Sequence, residues 1–266
     1  MLVGVLECVV NISEGRRPAV VAAIARVAQA DLLDVHTDAH HNRSVLTLVG
    51  EAAPRAVAEA AVARLDLRRH DGVHPRIGVV DVVPFVALDD TPAREAVAAR
   101  DRFGAWAATA LAVPGFAYGP ERTLPEVRRH AFSELTPTWG PMTPHPTAGA
   151  MAIGARPLLV AYNLWLAPGT DLAVARQVAR AVRTPEVRTL GLAVGDEVQV
   201  SMNLVAPLAV GPAEVWDRVA ALAPVARAEL VGLVPESVLG RAPEARWDQL
   251  DLGPDRTIEA RRAGRR

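Results

Sequence analysis

The chain has 266 residues, half of them hydrophobic, and a formal net charge of -1. That is enough apolar material for one large domain or two small ones, and the charge gives no reason to expect nucleic acid or an acidic membrane surface as a partner. No apolar run approaches the roughly 18 residues of a membrane span, the single cysteine excludes an internal disulfide, and the absence of lysine excludes a lysine Schiff base or a phosphate-loop lysine.

In chain order, residues 2–10 form an apolar run broken by Gly4 and Glu7, which predicts a strand. No basic segment precedes it, so a secretory signal is not expected and the cytoplasm is the expected location. Ser13 can cap the alanine-rich helix expected over residues 18–29. Strands are expected at 32–36 and 43–49 around a polar loop, then a helix at 54–65. A strand at 78–87, a helix at 91–111 with Pro92 in its first turn, and a short strand at 116–118 follow. Residues 120–150 hold six prolines with Gly140 and Gly149, and read as an ordered loop or a linker. Beyond it come a strand at 158–166, a helix at 171–182, a hairpin at 189–205 turning at Gly195-Asp196-Glu197, a helix at 213–222 and a strand at 228–234. A final helical or irregular segment starts at 236–240.

Both halves therefore run strand, helix, strand, strand, helix, strand. This predicts an α/β chain of the α+β sandwich kind. Its two subdomains, residues 1–150 and 151–266, would each be a mostly antiparallel sheet with helices on one face, with a ligand cleft between them.

The stretch His70-Asp71-Gly72-Val73-His74-Pro75-Arg76-Ile77-Gly78 carries the most chemistry. Five of the seven histidines fall between residues 36 and 74. Histidines four apart share a face only on a helix, and Asp71-Gly72 and Pro75 oppose one there, so a metal site is not expected. A polar turn before the next strand and a proline-stiffened loop holding a catalytic base both remain open from spacing alone. Cys8, in an apolar strand, reads as a core thiol.

Six segments resemble motifs of the glutamate formiminotransferases, in the same order along the chain. Glu7-Cys8-Val9-Val10-Asn11-Ile12-Ser13-Glu14-Gly15 resembles ECVPNFSEG. Asn42-Arg43-Ser44-Val45 with Leu48-Val49-Gly50 is similar to NRTVYTFVG. His74-Pro75-Arg76 with Gly78 and Asp81 is similar to EHPRMGALDV. Gly154-Ala155-Arg156 leading to Ala161-Tyr162-Asn163 resembles GARKFLIAFN. Gln199 to Leu204 resembles QVSTNL, and Glu229 to Pro235 resembles QLVGLVP.

The resemblance implies transfer of a formimino group from formiminoglutamate to tetrahydrofolate, the co-substrate, by two α/β subdomains that form a homodimer. It places the general base and acid on His74. It places folate binding on Gly140, Pro141, Met142, Thr143, Pro144, His145, Pro146, Thr147, Ala148 and Gly149. A cyclodeaminase domain follows in the mammalian fusion, and 266 residues are too few to hold one as well. Because both substrates carry carboxylates, Arg43 and Arg76 are candidate substrate-binding residues, with His36 beside them. The chain departs from the family pattern at His36 and Val73, where the family has acids. Other departures are Val10 for a proline, Thr138-Trp139 in the segment before Gly140, and Ala148 for a tryptophan. Trp139 borders the folate-like segment and could face a ligand, whereas Trp106, Trp165 and Trp216 read as packing. The altered positions leave two further readings: a paralogue that uses a formyl donor, and a folate-binding protein without turnover.

Overall fold

The computed structural model describes residues 5–72 and 75–264. Residues 2–4 of the first expected strand lie outside it. Among the described residues no helix is long and apolar enough to cross a membrane. The chain divides into two compact units, Met1–Pro157 and Leu158–Arg266.

The first unit opens with β1 (Val5–Ile12), α1 (Pro18–Ala25), β2 (Leu32–Asp38), β3 (Arg43–Val49), α2 (Ala52–Arg64) and β4 (Val80–Leu88). Alternation along β1 sends Leu6, Cys8, Val10 and Ile12 into the core and Glu7 and Asn11 to the other face. Burial raises the Cys8 thiol well above its ordinary pKa, as a core thiol requires. The chain continues through α3 (Ala93–Ala110), β5 (Gly115–Tyr118), α4 (Leu124–His130) and β6 (Met151–Ala155). The sheet order is β2-β3-β1-β4-β6-β5, antiparallel except that β6 lies parallel between β4 and β5.

Helices α1, α2 and α3 cover one face of this sheet and share a core with Cys8, Leu46, Leu48, Phe85 and Ile153, all fully buried. Each such large aliphatic or aromatic side chain contributes about 2 kcal/mol by leaving water. Helix α4 lies against the opposite face, where Val127 packs with Val82, Phe116, Tyr118 and Ala152. Thr123 and Glu126 close a capping box at its start.

The proline-rich stretch read as a loop or linker is thus part of the first unit, and it contains α4. It returns along β5 through Thr138 N–H to Gly115 O at 2.8 Å and Gly115 N–H to Trp139 O at 2.9 Å. Trp139 packs on Gly104 of α3, where an added Cβ would stand 2.4 Å from the indole. One part of the ring is therefore packed against the core of the first unit. Strand β6 was not expected, because Met151-Ala152-Ile153-Gly154-Ala155 is mostly small residues of weak strand preference. Gly154 is required there, since a Cβ would meet the Tyr118 ring at 2.1 Å.

The second unit consists of β7 (Val160–Leu166), α5 (Leu172–Val182), β8 (Val187–Val194), β9 (Glu197–Leu204), α6 (Pro212–Ala220), β10 (Val225–Val231), α7 (Glu236–Leu239) and α8 (Ile258–Ala263). Its sheet order is β10-β7-β9-β8, antiparallel throughout. This is the order that β4-β1-β3-β2 make in the first unit, so the repeated element pattern is also a repeated topology, the split βαβ arrangement. Asp171 caps α5 by accepting the Ala173 N–H at 3.1 Å, and Ala175, Val178, Ala179 and Val182 form its buried face. The β8–β9 hairpin turns at Gly195-Asp196, with Gly195 in the left-handed region.

Candidate active site

Four segments distant in sequence meet within the first unit: residues 11–17, 36–44, 66–72 with 75–81, and 145–149. Asn42 joins three of them. Its Oδ1 accepts the Gly15 N–H at 2.9 Å, its Nδ2 donates to Asp71 O at 2.8 Å, and its carbonyl accepts from His70 Nε2 at 2.8 Å. Its φ of 50° is left-handed, which asparagine tolerates better than most residues. Asn42→Gly keeps that conformation and removes both side-chain bonds. Urea unfolding should show a loss of about 2 kcal/mol, at roughly 1 kcal/mol per bond, and an unchanged midpoint would contradict this role.

The ECVVNISEG segment is bound in the same way. Ser13 donates through Oγ to Gly78 O at 2.8 Å and through its N–H to Val79 O at 2.8 Å. Glu14 Oε1 accepts the N–H groups of Arg16 and Arg17 at 2.9 and 2.8 Å, ahead of α1. Burial opposes ionisation of Glu14, but the Arg17 bonds outweigh it and lower its pKa. Gly15 has no space for a side chain, because a Cβ would stand 2.1 Å from Asp38 O. Arg16 closes the side of the loop with a 2.8 Å ion pair to Asp71.

His70 is held by a carbonyl, which only accepts, so its Nε2 carries the proton and Nδ1 carries a lone pair. That Nδ1 is buried with no hydrogen-bond partner among the described residues. Burial lowers the His70 pKa below 6.5, and the Arg76 charge adds to the effect. The unfolded chain therefore takes up this proton first. The His70 contribution to stability is full above pH 6.5 and is lost as pH falls through the depressed value. Between pH 7.5 and 5.5, the denaturation midpoint of the wild type should fall more than that of His70→Asn. Equal slopes would contradict the assignment.

Asp81 is the electrostatic centre of the site. Its side chain is 2% exposed. Oδ1 accepts the Ile77 N–H at 2.9 Å, and Oδ2 accepts from Arg43 Nη1 at 3.2 Å and Arg128 Nη2 at 2.6 Å. Arg43 also reaches Asn11 Oδ1 from Nε at 3.0 Å and from Nη2 at 2.5 Å. Burial pulls the Arg43 guanidinium down to about 10, with Asp81 opposing. Arg76 donates to Gly72 O at 2.9 Å and His70 O at 3.1 Å, bracing the loop from inside.

Of the residues expected from sequence, His74 lies outside the described residues, while His70 to Gly72 and Pro75 to Gly78 on either side belong to this site. His36 faces Val45 across the β2–β3 pair, and Asp38 faces Arg43 two residues on. His36 and Arg43 therefore share one sheet face. From Gly140 to Pro144 the chain is exposed, Met142 at 63%. The rest forms a tight loop in which His145 Nδ1 accepts the Ala148 N–H at 3.0 Å. The loop docks on the site through Leu67 N–H to Thr147 O at 2.7 Å and Val79 N–H to Ala148 O at 2.9 Å.

Among the described residues no group of three or more His, Cys, Asp or Glu side chains is placed to hold a metal. His41 Nδ1 lies 2.7 Å from Asp38 Oδ2. Sequence reasoning missed Arg128, which looks like an ordinary basic residue in the last turn of a short helix. It also gave Asn42 no role, although the motif that contains it was visible.

Residues 5–156 match the formiminotransferase domain, N-terminal subdomain. A glutamate formimidoyltransferase of Streptococcus pyogenes serotype M1 is 35% identical over 234 residues, 76% of this chain and 77% of that protein. One from Thermoplasma acidophilum is 33% identical over 273 residues, 88% of this chain and 89% of that protein. A formimidoyltransferase-cyclodeaminase of Gallus gallus is 35% identical over 281 residues, 90% of this chain but 52% of that longer protein.

Proposed function

We propose, since the chain belongs to the formiminotransferase family, that it moves a formimino group from formiminoglutamate to tetrahydrofolate. One observation supports this best: residues of the first three of the six resembling segments meet around a single loop in the first unit. Asn11, Ser13, Gly15, Asn42, Gly78 and Asp81 all bond or pack there, and the loop carries His74-Pro75-Arg76.

In the proposed mechanism a tetrahydrofolate amine attacks the amidine carbon of the donor. The attacking nitrogen loses a proton and the departing glutamate nitrogen gains one. His74 as a neutral imidazole can take the first proton and return the second. Arg43, on the same sheet face as His36, and Arg76, in the loop itself, would supply the positive charge that carboxylates of either substrate need. Residues Gly140 to Gly149 would hold the folate, with the tight half of that loop fixing its position against residues 77–79. Holding both substrates in one orientation supplies much of the remaining acceleration. A cytoplasmic homodimer is part of this proposal.

The test is an absorbance assay with formiminoglutamate and tetrahydrofolate. Turnover supports the proposal. Turnover with formylated glutamate alone would favour the formyl-donor paralogue, and folate binding without turnover on either donor would favour a binding protein.

A further inference from the structure

Arg128 reaches the site from α4, far in sequence from Arg43 on β3, and both guanidiniums meet the same carboxylate. Both Asp81 oxygens are already occupied, Oδ1 by a backbone N–H and Oδ2 by the two arginines. One negative charge between two positive ones leaves a surplus of one. The surplus is partly removed from water, since the Arg43 and Arg128 side chains are 17% and 20% exposed. Arg128 commits one Nη2 hydrogen to Asp81, and its Nε is buried with no acceptor among the described residues. Buried donors are normally paired, so an unpaired one beside surplus positive charge calls for an anion. Burial lowers the Arg43 pKa, and the Arg128 charge lowers it further against the pull of Asp81, a strain that a bound anion would relieve.

We propose that Arg128, with Arg43 beside it, binds a carboxylate of a substrate of the transfer reaction. This rests on the formimino-transfer reading. Two sources share the chemistry, the amino-acid donor and the glutamate tail of the folate. Asp81 is then the positioning residue that aims both guanidiniums.

The experiment compares wild type, Arg128→Gln and Arg128→Lys in steady-state kinetics and by calorimetric titration. Losing a charge-assisted hydrogen bond should raise one KM by roughly 10–100-fold, with kcat within about threefold. A rise for formiminoglutamate assigns the site to the donor. A rise for tetrahydrofolate that disappears with tetrahydropteroate, which lacks the tail, assigns it to the folate. Lysine should recover part of the loss, because it keeps the charge but not the planar fork. Unchanged KM values, or a fall in kcat at constant KM, would overturn the proposal. Titration with L-glutamate and with tetrahydrofolate reads the site even without turnover. If the wild type is inactive but either ligand binds at least tenfold more weakly to Arg128→Gln, the transfer reading fails and the carboxylate site stands. Equal binding of both ligands to folded wild type and variant overturns the site.

Discussion

Replacing His74 with asparagine is expected to lower turnover by roughly 10²–10⁴, the range for removing a positioned general base. Folate affinity should change much less, because the missing group acts mainly in the transition state. The informative control is His70→Asn, four residues earlier. His70 already has a structural task, since its Nε2 bonds Asn42 O and its Nδ1 is buried. Its loss should reduce stability by about 1 kcal/mol, as for one hydrogen bond, and turnover by less than tenfold. An inactive His70 variant beside a fully active His74 variant would transfer the catalytic role to His70. Normal turnover in both would remove the loop from the chemistry.

The largest loss of stability is expected from Asp81→Asn. The substitution keeps shape and removes the carboxylate charge that both Arg43 and Arg128 meet. Removing one partner of a buried ion pair costs about 3–5 kcal/mol, because the remaining charge stays desolvated. Here two guanidiniums would be left facing each other. An exposed pair provides the contrast. Glu197 and Arg227 meet at 2.7 Å but are 42% and 48% exposed, so solvent screens the pair and Glu197→Gln should barely move the midpoint. Urea unfolding of both variants at neutral pH tests the ranking. Equal costs would mean that the Asp81 cluster is solvated and does not organise the site.

The repeated order of strands and helices was legible where a strand is an apolar run between turn residues and a helix carries a buried apolar face. β1 and α5 show this most clearly. What was not legible depends on contacts distant in sequence. β6 is built from small residues that suit a strand only because the Tyr118 ring lies on Gly154. Helix α4 was hidden among prolines, although Thr123 and Glu126 spell its capping box. In the site, the motifs identified the residues but not their tasks. Asn42, Ser13 and Gly78 are anchor points of the loop, and Arg43 and Arg76 spend much of their hydrogen bonding inside the protein. Arg128 carries no local signal, because its meaning comes from Asp81, forty-seven residues away in sequence.

The most direct test of the account follows the transferred group. Formiminoglutamate labelled with ¹³C at the formimino carbon is mixed with tetrahydrofolate and the wild-type protein, and the products are read by mass spectrometry. The account predicts that the label moves to the folate and that one glutamate is released per label transferred. Folate that binds but stays unlabelled, with the donor intact, would contradict it.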